Sequence, residues 1–375
     1  MAKIRERSLG LGSQCAFTFL GTGAGEGVPI VGCDCDICYS VERSSFTERG
    51  WRTRSCALLD VGCKSILLDC GPDIRTQLLN VRTIRRLHSS LYSKTSPYSF
   101  SGQRESFSDT SNQEKESNGI ETGAISEIFL PDEIDYVLLT HWNFDHVGGL
   151  IELNHTWRPD RLASKEKIEL LLTEHAQQGY RSLEGSLFRT SAPDGTKRAS
   201  EDVEDVFIYT VVEPYKCYKL FTEHIDERLA YSVEVIPIET YHTPDSVAFA
   251  IYITRYEDLG DETGDKNSNS LKESRKEIVY LTDSPYEMPE KTREIIKDSD
   301  LLIMDCTFYK NVEEKGFKYH MDTEDCIRLV RETNPKMAYV THISHRNLEY
   351  DDLIDLFGDM RNLGVAYDGL RFELF

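Results

Sequence analysis

Long apolar runs are absent from this sequence. No stretch of its 375 residues approaches the roughly 18 consecutive apolar residues that a membrane-spanning helix needs. The first residues, MAKIRER, lack the apolar segment of a secretory signal peptide. We therefore expect no membrane partner, no cleaved signal and a cytoplasmic location.

Positively charged residues are in short supply. The chain has 43 Lys and Arg residues against 64 Asp and Glu residues, so its formal net charge is −21. Proteins that bind nucleic acid irrespective of sequence rely on Lys and Arg to neutralise phosphates. The charge balance therefore argues against a nucleic-acid partner.

Apolar residues are also fewer than usual, and the shortage is local. They make up 39% of the chain, against about 45–50% in a typical globular domain. Three stretches, at 101–119, 189–205 and 257–276, are almost entirely polar. Such segments bury too little apolar surface to offset the entropy of ordering them. We predict mobile polar insertions at about 83–126, 184–205 and 257–276.

Short apolar runs between these stretches predict β-strands. Several runs end immediately before a residue that can bind a metal ion, namely at His141, Asp283 and His342. Helices are predicted at Pro72–Leu79, Ser164–Glu174, Pro289–Lys297, Asp322–Thr333 and Asp351–Leu363. Strands and helices recur in both halves of the chain, which predicts an α/β arrangement of two sheets with outer helices. The strand ends could then converge on one site.

The most informative motif is THWNFDHVGGL at residues 140–150, directly after one of the predicted strands. It supplies His141, Asp145 and His146 within six residues. Imidazole and carboxylate groups are the ligands that zinc and manganese sites use. The motif therefore predicts a metal site.

This motif resembles the signature H-x-H-x-D-H of the metallo-β-lactamase-fold hydrolases. Further residues match the family's later metal ligands in the expected order: His242, Asp283 and His342. The resemblance implies an α/β fold of the αββα sandwich type, with two mixed β-sheets flanked by helices. It also implies a single domain over residues 14–375, enlarged by the three insertions.

One position departs from the family pattern. Asn143 stands where the second signature histidine is expected, and an amide oxygen is a weaker ligand than imidazole. The resemblance assigns His141, His242 and Asp283 to a first metal, with Asn143 as a weak fourth ligand at most. It assigns Asp145, His146, His342 and the bridging Asp283 to a second metal. A one-metal enzyme, a low-affinity first site and an inactive descendant all stay open.

A second cluster lies near the N-terminus. Cys33, Cys35 and Cys38 fall within six residues, and in a reducing compartment such a cluster indicates metal ligation rather than disulfides. Together with the preceding glycine-rich turn, it is similar to PhnP-type cyclic-phosphate phosphodiesterases and to PqqB. The resemblance implies that these cysteines and His345 hold one structural Zn²⁺ in a closed four-ligand shell.

The resemblance also implies a function. We expect a metal-dependent phosphodiesterase that hydrolyses a small phosphate ester, cyclic in the PhnP-type relatives, through a metal-activated hydroxide. The active site would hold one or two Zn²⁺ or Mn²⁺ ions. Asp145 would orient the attacking water, and His320 resembles the family's general acid. Asp305, at a predicted strand end, is expected close to the site.

Two other functions stay open at this point. A tRNA 3′-processing endonuclease shares the signature, although the net charge argues against it. A binding module that retains the fold and the structural zinc is favoured by Asn143 and opposed by the otherwise complete ligand set. Relatives of this kind often form homodimers, so a homodimer is also expected.

Overall fold

The computed structural model describes residues 15–44, 49–80, 134–154, 167–188, 206–258, 271–310 and 319–375. Within these ranges the strands form two sheets of seven. The predicted insertion at 83–126 lies outside the described residues, as does 189–205 of the second insertion.

The first sheet is antiparallel on one side and parallel on the other. Its spatial order is β14 (Arg371–Glu373), β1 (Cys15–Gly21), β2 (Cys56–Val61), β3 (Lys64–Leu68), β4 (Ile134–Leu138), β5 (Ile168–Leu172) and β6 (Phe207–Val211). Strands β3 to β6 run parallel to one another, whereas β14, β1 and β2 pair antiparallel with their neighbours.

The second sheet has the same mixed character. Its spatial order is β13 (Leu363–Val365), β12 (Met337–Thr341), β11 (Leu301–Asp305), β10 (Leu271–Leu281), β9 (Val247–Asp258), β8 (Leu229–Glu239) and β7 (Tyr218–His224). Strands β10 to β13 are parallel, and β7 to β10 pair antiparallel.

The described residues also form helices, most of which cover the outer faces of the two sheets. They are α1 (Asp36–Glu42), α2 (residues 74–80), α3 (Phe144–Val147), α4 (residues 150–154), α5 (Glu174–Phe188), α6 (Glu290–Ile296), α7 (Thr323–Thr333) and α8 (Tyr350–Phe357). Asp322 caps α7 by accepting hydrogen bonds from the backbone N–H groups of Glu324 and Asp325. Such a cap satisfies N–H groups that have no partner within the helix.

Alternating side chains of the strands create three apolar layers. In β2, Leu59 faces the other sheet and contributes to the core between the sheets, together with Phe249. The adjacent Leu58 points to the opposite face and packs with Tyr180 of α5, because successive residues of a strand face opposite sides. A third cluster joins the outer face of the second sheet to α7 and α8. The predicted αββα sandwich is therefore confirmed.

The helix predicted at Ser164–Glu174 is wrong. Residues 168–172 form strand β5, and α5 begins at Glu174. Ile168, Leu170, Leu171 and Leu172 are all fully buried. An inner parallel strand is covered on both faces, so its sequence is continuously apolar and cannot be distinguished from a buried helix by periodicity.

Several element boundaries predicted from the sequence also differ from those of the structure. Residues 184–188 of the second predicted insertion belong to α5. In the third, residues 257–258 end β9 and residues 271–276 begin β10, paired in register as Leu271 with Asp258. Backbone hydrogen bonds order these polar strand ends without apolar burial. Helix α8 ends at Phe357 rather than at Leu363, which lies in β13.

Both sheets direct the carboxyl ends of their parallel strands to the same edge of the sandwich. Strand β4 leads to His141, β10 to Asp283, β11 ends at Asp305 and β12 leads to His342. In α/β sheets, ligand sites lie at this end of the strands. The fold thus brings together residues that are some 200 positions apart in the chain.

Candidate metal centre

The loop after β4 places His141, Asp145 and His146 around one point. Helix α3 begins immediately after Asn143, and the N–H of His146 donates to the Asn143 carbonyl. Close backbone approaches hold this loop in place. A Cβ on Gly71 would lie 2.2 Å from the carbonyl oxygen of Asp145, and a Cβ on Gly149 would lie 2.2 Å from that of Gly71. Only glycine permits such packing at these two positions.

Asp69, Asp283 and His342 turn the chain sharply where their strands end. Their φ values are 60°, 49° and 56°, in the left-handed region that non-glycine residues seldom occupy. Strained backbone of this kind persists only where the surrounding structure holds it, and it is found most often at functional sites. These turns direct the side chains of Asp283 and His342 into the centre and that of Asp69 against His146.

Each buried histidine donates its Nδ1 proton to an outer partner. His146 Nδ1 lies 2.8 Å from Asp69 Oδ2. His141 Nδ1 lies 2.9 Å from Thr140 Oγ1, whose own proton goes to Asp69. Because these acceptors fix the tautomer, the Nε2 lone pair of each ring is left for the centre.

The second sheet repeats this arrangement. His342 Nδ1 lies 2.9 Å from Thr307 Oγ1, and Thr307 Oγ1 donates to Asp305 Oδ1 over 2.9 Å. His242 Nδ1 donates to the carbonyl oxygen of Tyr319 at 3.1 Å. In both rings the Nε2 atom is again the one that can bind a ligand.

These Nε2 atoms converge on two carboxylates. His146 Nε2 is 2.9 Å from Asp283 Oδ2 and 3.2 Å from Asp145 Oδ2. His342 Nε2 is 3.1 Å from Asp283 Oδ1 and 3.6 Å from Asp145 Oδ2. His242 Nε2 is 3.7 Å from Asp283 Oδ1.

The residues present fit a bound cation. The Nε2 atoms of His141, His146 and His342 are buried without a hydrogen-bond partner in the described part of the chain, and so is Asp283 Oδ2. Buried polar atoms without partners are costly. Lone pairs that face one another at about 3 Å are stabilised by a metal ion between them, and the donor set of imidazole and carboxylate suits zinc or manganese.

The electrostatics of the site keep the carboxylates ionised. Although burial opposes ionisation, His342 and His146 hold the pKa of Asp283 well below its usual value. His146 has the same effect on the pKa of Asp145. Asp283, Asp145 and Asp69 also outweigh burial at His146 and raise its pKa, so a proton and a cation compete for the same Nε2 lone pair. Burial lowers the pKa of His141.

His320 lies at the edge of the same centre. Its Nδ1 is 2.8 Å from Asp305 Oδ2, and its ring stacks on that of His342 with centroids 5.3 Å apart. Although burial favours the neutral ring, Asp305 raises the pKa of His320 to about 9. The predicted proximity of Asp305 is observed, and its partner is this histidine.

The structure thus brings together every residue that the sequence suggested for this site. Ligand atoms of three overlapping groups lie within 4.8 Å of one another. The groups are His141, His146 and Asp283; Asp145, His146 and His342; and Asp283, Asp305, His320 and His342. Asn143 also lies at the site, beside His242.

Sequence reasoning missed the outer partners. Asp69 accepts hydrogen bonds from the backbone N–H and the hydroxyl of Thr140 and from His146. Its position directly after a strand, like that of Asp283, was the available signal. Nothing in the sequence marked Thr140 or Thr307 as partners of histidines.

The second cluster also forms. The Sγ atoms of Cys33, Cys35 and Cys38 lie 3.3, 3.5 and 3.7 Å from His345 Nδ1. Tetrahedral zinc with its usual bond lengths places sulfur and nitrogen ligands about 3.6 Å apart. The four residues therefore have the spacing of a Cys₃His zinc shell, and α1 carries Cys38 into it.

The central part of the chain matches a known protein family. The profile described as "Beta-lactamase superfamily domain" matches residues 128–343, more than half of the chain. The chain belongs to the metallo-β-lactamase superfamily. The matched region contains the candidate metal centre from His141 to His342, whereas Cys33, Cys35 and Cys38 precede it and His345 follows it.

Two characterised proteins are similar in sequence. Ribonuclease Z of Bacillus subtilis is 26% identical over 266 residues, which cover 65% of this chain and 82% of that protein. The octanoyltransferase of Porphyromonas gingivalis is 33% identical over 134 residues, or 36% of this chain. The chain spans only 17% of the length of that octanoyltransferase.

Two solved structures share the fold of this superfamily member. A diphosphatase from the PhnP family is 19% identical, with a TM-score of 0.61 over 96% of this chain and 97% of that one. Zn²⁺-bound PqqB from Methylobacterium extorquens is 18% identical, with a TM-score of 0.56 over 96% of this chain and 100% of that one. The expected resemblance to these two groups is confirmed.

Every helix in the described ranges is too short or too polar to span a lipid bilayer.

Proposed function

We propose that the protein is a metal-dependent phosphodiesterase that acts on a small phosphate ester, either cyclic or linear. The family assignment supports a hydrolase. The observation that carries the proposal is the convergence of buried Nε2 atoms on Asp283 and Asp145 without hydrogen-bond partners. This arrangement has the chemistry of a catalytic metal site.

His141, His242 and Asp283 would hold one ion, and Asp145, His146, His342 and Asp283 would hold another. Zn²⁺ or Mn²⁺ bound there would lower the pKa of a water molecule and neutralise phosphoryl oxygens. Asp145 is 17% exposed at its side chain, so it faces the open side of the centre. Its carboxylate can accept a hydrogen bond from the attacking water and orient it.

His320 would supply the leaving-group proton. Asp305 accepts from Nδ1, which fixes the ring and leaves Nε2 as the atom available to donate. The side chain is 19% exposed, so a substrate can reach it. A departing alkoxide needs such a donor.

Cys33, Cys35, Cys38 and His345 would hold one structural Zn²⁺. A site with four protein ligands leaves no position for substrate.

We also propose that the protein is cytoplasmic and that its partner is a small soluble ester rather than nucleic acid or a membrane. We further propose that it forms a homodimer in solution. Light scattering on purified protein measures the last of these.

A second candidate function is endonucleolytic processing of tRNA 3′ ends. The similarity to ribonuclease Z over 65% of this chain favours it. The net charge of −21 favours the small ester, because a polyanionic substrate is bound through Lys and Arg.

Hydrolysis of bis(p-nitrophenyl) phosphate with added Mn²⁺ or Zn²⁺ tests the proposal. We expect turnover that is lost in Asp145→Asn and retained in Asp359→Asn, a matched change at an exposed carboxylate outside the centre. Cleavage of a precursor tRNA without turnover of small esters would favour the second candidate. No turnover of either substrate with any metal would indicate a binding module.

A further inference from the structure

A cleft of about 470 Å³ adjoins the metal centre on the side of His242. Its walls include Tyr241, Tyr319, Pro214 and Pro244. Of the proposed metal ligands, His242 is the one that lines this cleft in the described structure. The cleft is therefore placed to receive a part of the substrate that extends away from the reacting phosphate. We call it the tyrosine cleft.

The two tyrosines are unusually exposed for large aromatic residues. Tyr241 is 50% exposed and Tyr319 is 57% exposed. Exposed aromatic side chains beside a functional site are typical of ligand recognition rather than of folding. Tyr241 directly precedes His242 and Tyr319 directly precedes His320, so the positions of both tyrosines are coupled to the metal centre.

Hydrogen bonds fix the backbone that carries the two tyrosines. The carbonyl oxygen of Tyr319 accepts a hydrogen bond from His242 Nδ1 at 3.1 Å. The imidazole ring of His242 and the phenol ring of Tyr319 lie edge to face, with centroids 6.4 Å apart. The loop that carries Tyr241 is closed by a 2.8 Å hydrogen bond between the hydroxyls of Thr240 and Ser246. The cleft is therefore largely formed before a ligand arrives, which reduces the entropic cost of binding.

The charge of the cleft excludes phosphate. Glu239 and Asp245 line it and are exposed, and its described lining contains no Lys or Arg. An anionic group would be repelled here and attracted to the metal ions instead. Carboxylates accept hydrogen bonds from N–H donors, and tyrosine rings stack on flat rings, so the cleft fits a flat ring that carries such donors and no negative charge.

We propose that the tyrosine cleft binds the nucleobase of the substrate, and that the ester hydrolysed is a mononucleotide ester. The inference rests on the proposed phosphodiesterase function. Bases stack on aromatic side chains irrespective of their identity, and Glu239 and Asp245 would accept from ring N–H and amino groups. The absence of Lys and Arg from the described lining favours a mononucleotide over the end of an RNA strand, because RNA grooves follow the backbone with positive charge.

Two esters with the same leaving group test the proposal. We expect kcat/KM for the p-nitrophenyl ester of AMP to exceed that for methyl p-nitrophenyl phosphate at least tenfold. Tyr319→Ala or Tyr241→Ala should lower this ratio about tenfold, the effect of losing one stacking contact. Tyr319→Phe should retain the ratio, and so should Tyr39→Ala, which removes a tyrosine of similar exposure, 55%, outside the cleft.

Calorimetric binding of adenosine provides a readout that does not depend on turnover. The wild-type protein should bind adenosine with a Kd about tenfold lower than Tyr319→Ala. Equal kcat/KM for the two esters would overturn the nucleobase proposal and leave the phosphodiesterase intact. Hydrolysis of neither ester would contradict the proposed function, and adenosine binding would still decide whether the cleft takes a base. A short oligoribonucleotide hydrolysed faster than the AMP ester would identify RNA as the source of the base and overturn the mononucleotide assignment.

Discussion

The amide nitrogen of Asn143 lies 3.1 Å from Nε2 of His242. Because His242 Nδ1 donates to the carbonyl of Tyr319, Nε2 carries the lone pair and accepts from the amide. Asn143 therefore occupies the place next to a proposed ligand atom of the first metal. An amide that donates to this histidine competes with a cation for the same lone pair, whereas an imidazole at position 143 would add a ligand.

Asn143→His should strengthen the first metal position. We expect at least a tenfold gain in affinity for the more weakly held ion, since imidazole binds zinc and manganese better than an amide. Inductively coupled plasma spectrometry and chelator competition measure the stoichiometry and the affinity. Asn143→Ala, which removes the amide without adding a ligand, should show no such tenfold gain. An unchanged affinity for the more weakly held ion in Asn143→His would contradict the assignment of His242 and Asn143 to this position.

Asp69→Asn should lower the affinity for metal, although Asp69 is not itself a proposed ligand. Asp69 accepts from His146 and from Thr140, which in turn holds His141. Losing an outer carboxylate of this kind typically costs 10- to 100-fold in metal affinity. Chelator competition on the folded variant gives the affinity, with Asp359→Asn as the exposed control. An affinity equal to that of the wild type would show that Asp69 does not orient the ligands.

Cys35→Ser should remove the structural zinc. The Sγ of Cys35 lies 3.5 Å from His345 Nδ1 and also accepts from the N–H of Cys38, so its loss opens the four-ligand shell. We expect one zinc less per chain and an unfolding temperature lower by about 5 °C or more, because structural zinc contributes directly to folding. Cys217→Ser changes an exposed cysteine outside the cluster and should alter neither quantity. Retention of zinc in Cys35→Ser would exclude this site.

Asp368 should make the stability of the protein depend on pH. Burial raises the pKa of Asp368 to about 6, although hydrogen bonds from Thr53 and Thr22 and the charge of Arg52 oppose the shift. An unfolded aspartate has a pKa of about 3.9, so between these values the folded state binds more protons. Lowering the pH from 7 to 5 should therefore increase the free energy of unfolding through this group by about 1 kcal/mol.

The comparison with Asp368→Asn isolates this effect. Urea unfolding of both proteins at pH 5 and pH 7 should show the increase in the wild type relative to the variant, whereas contributions common to both proteins, such as loss of metal at low pH, cancel. Equal differences at the two pH values would mean that Asp368 titrates normally.

Local patterns, read together with the family resemblance, were sufficient to find the residues proposed as metal ligands. His141, Asp145 and His146 lie within six residues, and Asp283 and His342 each follow an apolar run. A strand end at the edge of a sheet leaves the next side chain free to point into a site, and this is visible in a short window of sequence. The same holds for Cys33, Cys35 and Cys38, whose spacing allows one ion to be shared.

Other features depend on contacts that no local pattern records. Residues 168–172 form a strand because both of their faces are covered by distant parts of the chain. The roles of Thr140 and Thr307 depend on which side of each imidazole faces outward. The tyrosine cleft joins Tyr241 to Tyr319, 78 positions further along the chain, around His242.

The sequence by itself determined the chemistry of this protein: its ligand types, its acidic charge and the strands that deliver the ligands. Only the tertiary structure decided how these groups act together. Hydrogen bonds that involve Asp69, Asp305 and the Tyr319 carbonyl leave the Nε2 atom of each histidine as the one that can bind a metal. The fold also places Asn143 beside His242. The physical reason is that ligand chemistry belongs to single side chains, whereas orientation and pKa depend on neighbours that only the folded chain brings within about 3 Å.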